Sequence, residues 1–423
     1  MATFLRLDMS HLGNGRRWAV GVLVSSTCGK ATAALVGAAG RGLQSEVRVA
    51  GALSAAVPRE TGLRFAALTR AGPSAVSSLA VCRAQLAEIE AALVTDLLRG
   101  LGVAPDRVLA VGVHDPGVWS LERGGPTGYL GLCDAARLAE LTGLNVIDAF
   151  PARDLAQGGQ GGPIAAVAQW VLLKDHTRSR VLLDLGRTVR MSYLPAAVGG
   201  HASSRILSFE VGPGTGLLDM LAERLTANEH HFDPGGRLAA QGHRLDELIE
   251  HWLSDPYFDR PLPRWHPRGV RPERFLTDAL QKAVQHGWSV RDLLCSATHF
   301  IAETVAVALR RRLPEDATID EVVVCGGGQK NGMLLREIGR LAEVPLLRIG
   351  ELEIPDETLG PASIAMLALL YLDQVPANPT AITKAEIPRL LGRLTPGSPL
   401  NWQRLLTTIA GSSPAVRPLR SAV

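Results

Sequence analysis

The chain has 423 residues, with 44 lysines and arginines against 41 acidic residues and a formal charge of +3. That length suits two α/β lobes better than one core, and 46% hydrophobic with 20% charged residues indicates a compact soluble globule and excludes a disordered chain. The charge is scattered and leaves no basic stripe for nucleic acid; its one cluster, Arg310-Arg311-Arg312, reads as a helix end.

In chain order, the apolar runs predict a strand over 18–25, a turn near Cys28-Gly29 and a returning strand over 33–36. A strand over 108–113, a helix over 133–142 and a strand over 145–150 follow. The segment Gly158-Gly159-Gln160-Gly161-Gly162-Pro163 serves either as the hinge between lobes or as a tight loop against ligand, since glycine permits both. A second block then repeats the plan. It has a strand over 180–186, a turn near Arg187, a return over 189–195 and a strand running into Phe209-Glu210-Val211-Gly212-Pro213-Gly214. After a long helical region come a strand over 322–325, a helix over 333–341 and a strand over 345–349. Beyond Asp373, Pro376, Pro379, Pro388, Pro396 and Pro399 predict an irregular tail laid back on the first lobe.

Hairpin first, then strands alternating with helices, twice over, predicts an α/β protein with a two-lobed actin-like (ribonuclease H-like) ATPase fold and a cleft between lobes. The expected division is 1–175, 176–375 and a tail over 376–423. Within it, Val322-Val323-Val324-Cys325-Gly326-Gly327-Gly328 is a buried strand ending in a turn with no Cβ to block a flat or charged ligand. It points to a nucleotide, although an ordinary strand-to-helix turn has the same look.

The five cysteines are widely spaced and read as reduced, buried residues, and no histidine or cysteine spacing suggests a structural zinc. No apolar leader is visible in the first 17 residues, and no segment of roughly 20 residues looks apolar enough to cross a bilayer. A cytoplasmic protein is expected. Gly29-Lys30 is not a P-loop ending, because Val24 and Ala31 stand where that motif needs glycine and a hydroxyl residue.

Five stretches resemble one family, the anhydro-N-acetylmuramic acid kinases of the sugar kinase and actin-like superfamily. They are Leu130-Gly131-Leu132-Cys133-Asp134, Arg153-Asp154-Leu155-Ala156-Gln157-Gly158-Gly159-Gln160-Gly161-Gly162-Pro163, Phe209 to Gly214, Val324 to Asn331, and Leu391-Gly392-Arg393-Leu394-Thr395-Pro396-Gly397; Asp255-Pro256-Tyr257-Phe258 looks like the family too. The resemblance implies a kinase that opens the 1,6-anhydro ring with water and phosphorylates the freed O6 from ATP with Mg2+, giving N-acetylmuramic acid 6-phosphate in cell-wall recycling. Its partners would be an amino sugar and ATP, with no nucleic acid or membrane, and a homodimer by family habit.

Residue by residue, the resemblance puts a nucleotide at Ser25, Ser26, Thr27, Gly29 and Lys30, at Gly186, Gly212 and Gly214, and at Gly326, Gly327, Gly328 and Asn331. It puts sugar at His114, Asp134 and Arg153, assigns no metal ligand, and makes Glu210 the general base where the family has aspartate. The extra methylene leaves two readings of Glu210, a base one bond further out or a charge-assisted contact at a strand end. Other positions depart further. The family's S-G-T-S-x-D-G turn has become Ser25-Ser26-Thr27-Cys28-Gly29-Lys30, and its N-I-G-G-I-A-N hairpin has become Asp184-Leu185-Gly186-Arg187-Thr188-Val189-Arg190. Arg187 and Arg190 are either a relocated phosphate grip or, the favoured reading, the mark of a lost tight turn with both side chains solvated. Asp115-Pro116-Gly117 replaces G-Q-T after His114, and Ala149-Phe150-Pro151-Ala152-Arg153-Asp154 stands against D-F-R-R-R-D. Either a divergent sugar kinase or a pseudokinase kept for sensing or scaffolding fits these losses.

Overall fold

The computed structural model describes residues 3–6, 16–69, 76–120, 127–198, 202–225, 231–267 and 269–410, in two compact units. Most of the N-terminal stretch and everything beyond residue 410 lie outside the described residues. The first unit comprises 1–153, 360–377 and 389–423, and the second 154–359 and 378–388.

The first unit's sheet contains β1 (Thr3–Arg6), β2 (Arg17–Val24), β3 (Lys30–Ala39), β4 (Glu46–Ala56) and β5 (Val108–His114). A separate small hairpin, β6 (Val118–Ser120) and β7 (Gly128–Leu130), precedes β8 (Val146–Asp148). The order is β1-β4-β3-β2-β5-β8, closed by a strand at Arg393–Thr395. Strands β2 to β4 form an antiparallel meander, and β5 and β8 add parallel to β2. The sequence reading passes over two elements: β4, which joins this sheet beside β3, and the helix Val76–Leu101, which packs on β3 and β4. Gly21 and Gly112 face each other across β2 and β5. A Cβ on Gly21 would lie 1.9 Å from the Pro361 carbonyl oxygen, and one on Gly112 would lie 2.7 Å from that of Ile364. The helix Leu359–Leu372, apolar all round and buried, therefore lies directly on the centre of this sheet. Residues 360–377 accordingly belong to the first unit, whereas the sequence division ran the second lobe to 375.

The second unit repeats the topology with β9 (Arg180–Leu185), β10 (Thr188–Leu194), β11 (Leu207–Pro213), β12 (Glu321–Cys325) and β13 (Leu346–Arg348), in the order β11-β10-β9-β12-β13. Again an antiparallel meander is followed by two parallel strands, the arrangement of the ribonuclease H-like, actin-like ATPase fold. The predicted helix end at Arg310-Arg311 closes the helix Val290–Arg311. By length and composition this helix could cross a membrane, contrary to the expectation that no such span exists; 78% of its apolar window is buried inside the unit. Its Phe300 meets Trp252, Phe275 and Phe258 at ring-centroid distances of 5.1, 5.4 and 5.8 Å, so its apolarity fills a core. All five cysteines are free and buried.

Two sequence expectations are refined. The glycine segment after Leu155 has a structural use the sequence reading does not name: it wraps the fully buried Asp154, whose carboxylate accepts from Gly161 N (2.7 Å) and Asn378 Nδ2 (2.7 Å). A Cβ on Gly159 would fall 2.2 Å from that carboxylate. The proline-rich tail is also less irregular than read, because Pro399 opens the helix Pro399–Ala410, where a missing N–H costs nothing.

Candidate active site

The first turn, between β2 and β3, is organised by Ser25. Its Oγ accepts from Gly29 N and Lys30 N, both at 3.1 Å, and its carbonyl accepts from Cys28 N at 2.8 Å. Cys28 is buried with φ of +54°, a conformation L residues adopt only in tight turns. Two backbone donors assigned to phosphate are thus committed to a hydroxyl, while Ser26 and Thr27 stand exposed at the tip. His114 ends β5, half-buried. Asp134 caps the helix Ala135–Thr142 by accepting from Arg137 N, and Arg153 is exposed. Near them the substituted Asp115 does structural work the sequence did not announce. Buried to 1%, its carboxylate collects Gly117 N, Leu132 N and Cys133 N at 2.8 to 3.0 Å, fixing the strand-end loops around His114 and Asp134.

In the second unit the predicted glycines converge. The hairpin turn at Gly186 and Arg187 survives, and its carbonyls receive the first donors of the helix Thr215–Leu225: Thr215 N to Gly186 at 2.8 Å, Gly214 N and Gly216 N to Arg187 at 2.9 and 3.3 Å. Gly214 is glycine because a Cβ would lie 2.2 Å from the Gly186 oxygen. Gly212 is buried and yields space to Phe258, 3.0 Å from its Cβ position. Gly326, with φ of +81°, turns the chain against Asp184 (2.6 Å), and Gly328 abuts Leu185 (2.7 Å). Only Gly327 of the three has an open Cβ position, with no atom within 4 Å. Asn331 caps the following helix through Leu334 N at 3.0 Å. The glycine motif therefore divides into residues that let protein pack and one that leaves room for a ligand.

Glu210 lies on β11 and is 3% exposed. One carboxylate oxygen accepts from the backbone N–H of His266, and Oε2 is buried with no hydrogen-bond partner among the described residues. Burial pushes its pKa from the usual 4.5 up to about 7, against the opposing pull of Arg190 and Arg264. Arg264, itself buried, holds the strand in place. Its guanidinium donates to the carbonyls of Glu210 (2.8 Å), Val211 (3.2 Å) and Tyr257 (2.9 Å) and lies 4.5 Å from the Tyr257 ring centre. Arg190 is exposed, as read, but not idle. It is the cross-strand partner of both Glu210 and Asp184, and its Nη2 sits 2.7 Å from Asp184 Oδ2. Arg264, Asp184 and Arg190 carry no local sequence signal for these roles, because each acts through a residue distant in sequence or across a sheet. A buried carboxyl with a near-neutral pKa and a vacant oxygen can take a proton from a bound water.

A family model described as anhydro-N-acetylmuramic acid kinase matches residues 20–397. An anhydro-N-acetylmuramic acid kinase of Acaryochloris marina is 29% identical over 388 residues, 89% of this chain and 98% of that one. One from Burkholderia thailandensis is 31% identical over 337 residues, 78% and 85% of the two chains. Among solved structures, a gluconate kinase from Lactobacillus acidophilus is 10% identical with a TM-score of 0.43, covering 94% of this chain and 98% of that one.

Proposed function

The chain belongs to the anhydro-N-acetylmuramic acid kinase family, and from that premise we propose that it is an ATP-dependent kinase of 1,6-anhydro-N-acetylmuramic acid with Glu210 as general base. One observation carries the reading: Glu210 keeps a buried, unpartnered oxygen and a pKa of about 7, the state a base needs near neutral pH. It takes a proton from the water that adds to the anomeric carbon. The anhydro bond to O6 breaks, and the freed O6 accepts the phosphoryl group of ATP. Nucleotide fits the turn at Gly326 to Gly328, where the Gly327 position is open. Among the described residues no three metal-ligating side chains converge; the Mg2+ of Mg–ATP would be held chiefly by the nucleotide's own phosphates and would neutralise their charge. On this reading the protein is cytoplasmic, with His114 and Asp134 on the sugar side.

A second reading rests on its own observation. Donors that could face phosphate are spent internally: Gly29 N and Lys30 N of the first hairpin on Ser25, and Gly214 N to Gly216 N, at the start of the helix after β11, on the carbonyls of the β9–β10 turn. Fewer free donors mean weaker stabilisation of transferring phosphate, the term on which such catalysis most depends. A nucleotide-binding pseudokinase would look the same. The purified protein is incubated with Mg–ATP and 1,6-anhydro-N-acetylmuramic acid, and the 6-phosphate is sought by mass spectrometry. Product that disappears in Glu210→Ala supports the kinase; no product, with ATP binding that is lost in Gly327→Val, supports the pseudokinase.

A further inference from the structure

Three departures from the family's motifs fall on one row of the second sheet. Glu210 on β11 is paired across the strands with Arg190 on β10, Arg190 with Asp184 on β9, and Asp184 with Cys325 on β12. Cross-strand partners put their side chains on one face, so acid, guanidinium and acid stand side by side. The pattern quoted for the family has asparagine at both hairpin positions. Here one has become acidic and the other basic, adding no net charge, while the base has grown by a methylene. Just before this pair the β10–β11 register shifts: Val189 pairs with Gly212 and Arg190 with Glu210, leaving Val211 as the extra residue on β11 beside the carboxylate.

We propose that Arg190 is a positioning residue for Glu210: anchored on its far side by Asp184, its guanidinium holds the longer carboxylate charged and aimed. The inference rests on the kinase reading for its catalytic meaning, but the physical coupling does not depend on it. Among the described residues the groups facing Glu210 are few. Arg190 comes from β10, Arg264 and Tyr257 from the 255–264 segment, and the His266 N–H from the residues just after it. Arg264 spends its donors on the carbonyls of Glu210, Val211 and Tyr257, so it fixes the strand. Arg190 spends its recorded hydrogen bond on the Asp184 carboxylate, which fixes the guanidinium itself. The recorded hydrogen bonds thus put Arg264 on the backbone of β11 and Arg190 on the Asp184 carboxylate, from where its charge acts on Glu210 across the strands.

The test titrates Glu210 directly in ligand-free protein by carboxyl-13C-glutamate NMR, its resonance identified by its loss in Glu210→Gln. Removing an opposite charge this close raises a carboxyl pKa by about one unit or more. Arg190→Met is therefore expected to move the midpoint up by about that much, and Arg190→Lys, which keeps the charge, to stay near the parent. A midpoint unchanged in Arg190→Met, in protein whose circular dichroism matches the parent, overturns the proposal and leaves Arg190 a surface partner of Asp184. Turnover then separates the two levels. If the midpoint moves but no 6-phosphate forms in the parent, the coupling stands and the kinase reading falls. If the parent turns over, the acid limb of its kcat profile must shift with the NMR midpoint in Arg190→Met, and a fixed limb overturns the positioning role.

Discussion

Replacing Glu210 by glutamine should stabilise the protein in a pH-dependent way. A carboxyl whose folded pKa lies above its unfolded value favours the folded state only while protonated. The cost of ionising it is absent below the unfolded value of 4.5, accumulates as pH rises to about 7, and is complete above that. At about 1.4 kcal/mol per pKa unit, the rise amounts to roughly 3 kcal/mol, with little discount for screening. Burial to 3% exposure justifies that. Glutamine has nearly the shape of the protonated acid and can keep the His266 N–H bond, so parent and variant should match near pH 4.5 and diverge toward pH 8. For a unit of this size the divergence corresponds to roughly 6–12 °C in the unfolding midpoint. Differential scanning calorimetry across that pH range reads it. Two curves that stay parallel would mean that Glu210 ionises in the folded state as readily as in the unfolded chain, and the reasoning about burial would fail with the base assignment built on it.

Other consequences separate structural from ligand-facing glycines. Gly327→Ala should leave the melting temperature unchanged and weaken ATP binding in calorimetric titration, because nothing lies within 4 Å of the new methyl. Gly326→Ala should lose about 1–3 kcal/mol of stability from positive φ and the approach to Asp184. Gly214→Ala, meeting a backbone oxygen at 2.2 Å, should cost at least as much and loosen the hairpin, seen as faster amide exchange at Thr215 and Gly216. In Asp154→Ala the buried donors of Gly161 and Asn378 lose their acceptor, at a cost of about 2–4 kcal/mol in urea unfolding; a cost below 1 kcal/mol would return the glycine loop to the role of hinge.

Much of the fold was legible because repeated apolar periodicity is a local property. The hairpin over 180–195, the strand into Gly326 and the helix opened by Asn331 each announce themselves within a dozen residues. The helix Leu359–Leu372 did not reveal its place. Apolar on every side, it has no face to show which sheet it covers, and the glycines that receive it lie more than 240 residues away. The proline-rich tail misled for a different reason: Pro399 at a first helical position reads in sequence as a breaker.

By itself, the sequence determined the family, the two-fold repetition of a hairpin followed by strands alternating with helices, and the carboxylate at 210 as the candidate base, since all of these reside in contiguous motifs. Only the tertiary structure decided what the altered residues do. Asp115 and Asp154, read as part of eroded or flexible motifs, are buried acceptors for backbone N–H groups. Arg190, exposed as read, also stands in register between two carboxylates because strand pairing brings 184, 190 and 210 into one row. Hydrogen-bond satisfaction and cross-strand register are set by residues distant in the chain, and for that reason no local pattern could have supplied them.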